Sequence, residues 1–261
     1  EAEKMLGPYE WERYDLLVMP PSFPYGGMEN PRLTFLTPTV IVGDRSYTDL
    51  VSHELSHSWT GNLITNATWE DFWLNEGWTT YMQMRIDEVL QGRDYAQMKI
   101  ELGRGSMLAA MLRFGMNSKH TRLNYNMSGV DPDEVFSNIP YYKGQAFLQA
   151  LEDAVGRERF DRFISKYIET FKFQSLTTKA FLAFLKKQLP AAVKAVNIKE
   201  WMYKPGFPGH APETKSRLID AVDMCISAYN EGKLPTSDEV RSCTPHQISR
   251  CVPRFAETLR M

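Results

Sequence analysis

The chain is 261 residues long, 43% apolar and 24% charged, and its 30 basic and 32 acidic side chains leave a formal net charge of -2. That length holds one large domain, or one domain and part of another, and the composition is ordinary for a globular protein. The balanced charge offers no basic surface for nucleic acid or an anionic membrane, and no apolar run approaches the ~18 residues a membrane helix needs.

The chain opens on a helix-like acidic stretch, without Met and without a secretory leader pattern, and reads as a fragment of a longer protein. Tyr14 to Met19 is a short apolar run closed by Pro20-Pro21, the pattern of a buried strand. Gly26-Gly27 marks a turn or a close backbone approach, and Arg32 to Leu36 with Thr39 to Val42 form a second strand region. From about Ser46 the period becomes helical. Tyr47 to Thr60 is a helix with Gly61 as its stop, and Trp69 to Leu90 is one long helix closed by Gly92. Further helices are expected at 95–114, 142–155, 158–171 and 178–188.

Pro205, Gly206, Pro208 and Gly209 make the best domain boundary. Residues 1–205 are then one domain, and 206–261 begin a second, helical one with helices at 213–229 and 237–252. Strands first and helices after give an α+β class. The three cysteines, Cys225, Cys243 and Cys251, are odd in number and late in the chain, which argues for a reducing, cytoplasmic compartment. Asn66-Ala67-Thr68 and Asn126-Met127-Ser128 match the glycosylation pattern, a short motif that weighs little against this.

The chemistry centres on His53-Glu54-Leu55-Ser56-His57. On a helix, positions i and i+4 share a face, so the two imidazoles can chelate one metal ion. Glu54, beside the first ligand, reaches a metal-held water and acts as general base. A catalytic site needs a third ligand, and Glu76 in W-L-N-E-G supplies it from a second helix returning beside the first. Two imidazoles and one carboxylate suit zinc, one ion per chain. The tetrahedral intermediate of peptide hydrolysis also requires an oxyanion donor. His120, His210 and His246 lack such partners and default to surface or structural roles.

Together, H-E-L-S-H-S-W-T-G-N-L-I-T-N, W-L-N-E-G and P-Y-G-G-M-E-N-P resemble the M1 zinc aminopeptidases, and within them the leukotriene A(4) hydrolase and aminopeptidase B branch. The similarity runs from Gly7-Pro8-Tyr9 to about Tyr229. The resemblance implies a thermolysin-like catalytic fold, a small sheet and then a helical lobe with zinc between them, inside a protein with further domains on both sides. It implies that Gly26, Gly27, Met28, Glu29 and Asn30 form the exopeptidase motif, with Glu29 binding the substrate's free α-amine. Tyr141, rather than its neighbour Tyr142, aligns with the catalytic tyrosine that donates to the oxyanion. Asp133 matches an acid that recognises basic N-terminal residues and serves epoxide hydrolysis, and Tyr25 lines the first substrate pocket. Phe136 stands where animal epoxide hydrolases of that branch carry tyrosine, which weakens the epoxide reading. The expected activity is removal of N-terminal residues from short peptides. The rivals are a bifunctional enzyme that also opens a lipid epoxide, and a scaffold on a peptidase fold, which the intact set of ligands and base disfavours.

Overall fold

A computed structural model describes residues 1–258. After a short helix α1 (Ala2–Leu6), strands β1 (Asp15–Val18), β2 (Gly27–Met28) and β3 (Leu33–Leu36) form a sheet in the order β1-β3-β2. β1 runs parallel to β3 with Asp15 opposite Leu33, and β2 runs antiparallel with Gly27 opposite Leu36. Helix α2 (Thr48–Ser56) follows, then β4 (Ile64–Asn66), α3 (Trp73–Gln91) and α4 (Arg93–Phe114). The chain continues through α5 (Ile139–Val155), α6 (Arg157–Phe171), β5 (Gln174–Leu176), α7 (Thr178–Gln188), α8 (Pro190–Ala195) and α9 (Ile198–Tyr203). It ends in α10 (Arg217–Asn230), α11 (Ser237–Ser242) and α12 (Pro245–Thr258). β4 and β5 pair in parallel, Ile64 opposite Gln174. The class is α+β, mostly helical with small sheets.

α3 is the axis of the fold. Fourteen of its residues, from Trp73 to Asp87, are buried, as expected of a helix covered on all sides. α2, α4 and α5 pack around it. α6 is by contrast amphipathic, burying Phe160, Phe163, Ile164, Tyr167 and Ile168 at helical spacing. The Tyr167 ring stacks on Trp78 of α3 at 4.8 Å. α3 and α5 cross where Gly77 meets Gly144, so closely that a Cβ on Gly77 would lie 2.8 Å from the Gly144 Cα. Lys143, fully buried, donates from Nζ to the carbonyl oxygens of Thr121, Lys204 and Gly206, tying α5 to the chain after α9. Burial pushes its pKa down to about 7. α10 and α12 lie against each other and reach α4, with Ser216 Oγ donating to the Asp94 carbonyl and Lys99 pairing with Asp49 of α2 at 2.7 Å.

Several expectations need correction. Thr39 to Val42 is not a strand: Pro38–Val40 is a 3-10 turn, because Pro38 lacks an N–H for a ladder and the Thr37 hydroxyl caps Thr39 N. β1 is a strand but not a buried one, since Leu16, Leu17 and Val18 are all exposed. Of the two expectations for Gly27, the close approach holds, since a Cβ there would meet the Glu54 carboxylate, and the turn does not, since Gly27 pairs with Leu36 in β2. The long 69–90 helix is a 3-10 turn, Trp69–Asp71, followed by α3. The 237–252 helix is two helices, broken at Thr244-Pro245, where proline can start a helix but not continue one. α8 and α9 went unforeseen. The last three residues of the expected 206–261 domain lie outside the described residues.

Candidate metal centre

α2 carries His53 and ends at Ser56, short of the expected Thr60, with His57 as its C-cap one turn on from His53, and α3 brings Glu76, in its first turn, against them. The two Nε2 atoms are 3.1 Å apart, and Glu76 Oε2 lies 3.3 Å from the first and 3.5 Å from the second. Tetrahedral ligands ~2.0–2.1 Å from an ion sit ~3.3 Å from one another, so this triangle fits one zinc ion. Glu76 Oε2 is buried with no hydrogen-bond partner, as a ligand atom would be. The outward ring nitrogens are engaged. His57 Nδ1 lies 3.1 Å from the Thr60 carbonyl and 3.1 Å from the Thr79 hydroxyl, and His53 Nδ1 lies 3.0 Å from Gln83 Oε1. The electrostatics favour a cation. Burial pushes His53 down, but the adjacent Glu76 carboxylate, 3.3 Å away, outweighs it and raises its pKa to about 9, while burial drives His57 down to about 4.

Glu54 projects from α2 toward β2. It is buried, and Gly27 lies so close that a Cβ there would overlap its carboxylate. Burial, reinforced by the charges of Glu29 and Glu76 against that of His53, pushes its pKa up to about 7. Glu29 approaches from the end of the same strand. Its Oε1 accepts from Asn75 Nδ2 at 3.3 Å, and its backbone carbonyl accepts from Asn62 Nδ2 at 2.7 Å. Glu29, Glu54 and His57 offer ligand atoms within 4.8 Å of one another. Three carboxylates thus surround the two imidazoles, a field suited to an ion and to a cationic substrate group.

Tyr141 enters from the first turn of α5. Its ring stacks on His53 at 6.1 Å and meets Phe72 and Phe136 edge-on. Burial, then the nearby negative charge of Glu76, holds its phenol well above the ordinary range, so it is a neutral donor. Tyr142 points elsewhere, filling the gap beside Gly103 of α4. Asp133 is exposed on the 3-10 turn Pro132–Val135 and lines a cavity with Trp69, Phe72, Leu123 and Phe136 that adjoins Tyr141. Tyr25 is exposed, its ring edge-on to Phe23, and Gly26 lies against Leu50. Met28 is exposed, and the Asn30 Nδ2 is buried without a partner. Among the other histidines, His246 is buried beside Asp49, His120 packs on Tyr125, and His210 lies edge-on to Trp201.

Sequence reasoning missed Asn75, Thr79 and Gln83. Gln83 was reachable: seven residues after Glu76 is two helical turns, the same face of α3. Thr79, three residues after Glu76, lies on that face as well, and Asn75 stands in the W-L-N-E-G motif itself.

Residues 1–202 match the peptidase family M1 domain. The chain is 42% identical over 256 residues to leucine aminopeptidase 2 of Neosartorya fischeri, covering 94% of this chain and 41% of that protein. It is 44% identical over 259 residues to leukotriene A-4 hydrolase of Xenopus laevis, covering 95% and 42%. Among solved structures, yeast LTA4 hydrolase in complex with Bestatin superposes with a TM-score of 0.90 at 35% identity, covering 98% of this chain and 43% of that one. An M1 zinc metallopeptidase mutant from Deinococcus radiodurans bound to a Tyr-Ser-Ala substrate gives 0.64 at 27% identity, covering 81% and 44%. The chain therefore spans about two fifths of the length of the relatives it matches.

Proposed function

The chain belongs to peptidase family M1, and on that premise we propose that it is the catalytic part of a zinc aminopeptidase acting on short peptides with a free N-terminus. The observation that carries this reading is the triangle of His53 Nε2, His57 Nε2 and Glu76 Oε2 with a buried carboxylate, Glu54, beside it. One zinc ion held by those three residues would supply a Lewis acid for the scissile carbonyl and would lower the pKa of the attacking water.

The rest falls to side chains. Glu54, with a pKa near 7, takes the water's proton and delivers it to the departing amine. The Tyr141 hydroxyl donates to the carbonyl oxygen as charge develops on it. Glu29, held by Asn75 and by Asn62 on its backbone, pairs with the substrate's ammonium group and fixes the first peptide bond beside Glu54 and Tyr141. Gly26 and Gly27 let the backbone pass close by, and Met28, Asn30 and Tyr25 complete the wall.

We assign residues 1–205 to the catalytic domain and 206–261 to the start of a helical one. Among the described residues no helix is long and apolar enough to cross a membrane, and the three free cysteines suit a cytoplasmic location. The second reading, an added activity on a lipid epoxide, rests on Asp133, which lines the cavity beside Tyr141 together with Phe72 and Leu123, and Phe136 on the same wall weakens it. Product analysis with such an epoxide discriminates the two. The aminopeptidase reading is tested with leucine anilide bearing a free or an acetylated α-amine: the free form is cleaved and the blocked form is not. Equal cleavage of both would overturn the exopeptidase assignment.

A further inference from the structure

We propose that His246 is a positioning residue: from the first turn of α12 it holds the start of α2, and through it His53 and Glu54 one turn further on. The inference rests on the zinc aminopeptidase reading above and concerns how the helix under that site is fixed. α2 is poorly held by its own sequence. It is nine residues long, and its N-cap, Tyr47, makes no side-chain cap bond. The chain leading into it, Ile41 to Arg45, is exposed. A short helix with such an entry frays from that end unless something outside it closes the first turn.

His246 supplies that closure. Its Nε2 lies 3.2 Å from the Ser46 carbonyl oxygen, which also accepts from the Tyr95 hydroxyl of α4 at 3.4 Å. A backbone carbonyl only accepts, so the ring nitrogen is the donor. The same nitrogen is 3.6 Å from Oδ1 of Asp49, a buried oxygen with no hydrogen-bond partner. Lys99 of α4 holds the other oxygen, Oδ2, at 2.7 Å, and its ammonium stands 3.5 Å from the ring nitrogen. The imidazole is buried and meets the Tyr47 ring edge-on at 5.1 Å. Asp49 is one helical turn before His53, so the anchored residue and the metal ligand share a stripe of α2. α12 is built to present the ring. Thr244, Pro245, His246 and Gln247 make a capped helix start: Gln247 N donates to the Thr244 hydroxyl at 3.2 Å, and Gln247 Oε1 accepts from Thr244 N at 2.8 Å. Gln247 Nε2 also donates to the Leu218 carbonyl of α10 at 2.9 Å. The backbone on which His246 stands is therefore itself tied down. Glu29, at the end of β2, belongs to a different element, so the amine anchor lies outside this clasp.

The experiment compares wild type, His246→Phe and His246→Gln in the full, zinc-loaded protein. Phenylalanine keeps a ring against Tyr47 and loses the donor, whereas the glutamine NH2 stands in for the Nε2 hydrogen. Two readouts are taken: amide hydrogen exchange of residues 47–57, with α6 as the internal reference, and kcat and KM on leucine anilide. In His246→Phe the exchange of residues 47–57 is expected to rise about 3–10-fold, the loss of one hydrogen bond, with α6 unchanged. Its kcat is expected to fall about 3–30-fold, a fraction of the ~100-fold that a 1 Å misplacement costs, with KM within about twofold because Glu29 stays in place. His246→Gln is expected to recover most of both losses. Wild-type exchange and kcat in His246→Phe would overturn the proposal. So would a lowered Tm with both readouts unmoved, or equal losses in the two variants. Wild type that hydrolyses no anilide would instead overturn the aminopeptidase reading, and the exchange of residues 47–57 would still decide the clasp. Should His246→Phe fail to fold by thermal melting, His246→Asn, whose shorter amide does not reach the Ser46 carbonyl, takes its place.

Discussion

Gly77→Ala tests whether the close crossing of α3 and α5 sets the geometry of the site. A Cβ at Gly77 would lie 2.8 Å from the Gly144 Cα, 3.1 Å from the Pro140 carbonyl oxygen and 3.2 Å from the Gly144 carbonyl carbon. All three are backbone atoms, so no side chain can rotate away. Carbon contacts relax at ~3.5–4.0 Å, so the helices must part by roughly 0.7–1.2 Å. Glu76, next in sequence, moves with α3, and Tyr141, three residues before Gly144, moves with α5. Overpacking costs about 1–3 kcal/mol, and the helix preference of alanine over glycine returns about 1 kcal/mol. The net loss of stability is therefore about 0–2 kcal/mol, a few degrees of Tm in a chain of this size. A misplacement near 1 Å costs ~100-fold in rate. The expected result is kcat/KM on leucine anilide reduced 10–100-fold with Tm lowered by less than ~8 °C. The control is Gly105→Ala on α4, where an added Cβ meets nothing within 4 Å. It should gain ~0.5–1 kcal/mol and keep its kcat. Activity of Gly77→Ala within twofold of wild type would refute the reasoning.

Glu54→Gln should retain zinc, since Glu54 is not one of the three ligands, but lose at least ~100-fold in kcat; substantial turnover would remove Glu54 from the base role. Tyr141→Phe should lower kcat by ~100–1,000-fold with little change in KM, because its bond strengthens as charge develops, and an effect confined to KM would count against it. A pH effect on stability is expected at Asp49. Burial pushes its carboxyl up, but His246 at 3.6 Å and Lys99 at 2.7 Å outweigh that and bring its pKa down to about 2. A carboxylate depressed in the folded state stabilises above its unfolded pKa, so this contribution is present above pH ~4 and lost as pH falls from there toward 2. It is worth on the order of 2 kcal/mol. Asp49→Asn should flatten the fall in Tm across that window, and an unchanged slope would contradict the pairing.

What could be read from sequence was local. His53 and His57 declare themselves because helical spacing alone puts them on one face, and Thr178–Gln188 is a helix with its own Thr177 cap. What could not be read depended on distant partners. Gly77 and Gly144 are meaningful only as a pair, and neither shows in its own segment. Leu16, Leu17 and Val18 look like a core strand, but none of the described residues covers both faces of β1. Trp69–Asp71 has helical spacing, yet the Thr68 hydroxyl donates to Asp71, whose other carboxylate oxygen accepts from Thr178 N, and the turn is held apart from α3. Residues 237–252 read as one helix, whereas the capping box of Thr236 and Glu239 belongs to the shorter α11 alone.

The most direct test of zinc-dependent aminopeptidase activity is a chelation and reconstitution series, with leucine anilide hydrolysis and bound metal measured on the same samples. Activity should disappear as zinc is withdrawn, then return in proportion to added zinc and level off at one ion per chain. Full hydrolysis by protein stripped of zinc would contradict the role given to His53, His57 and Glu76.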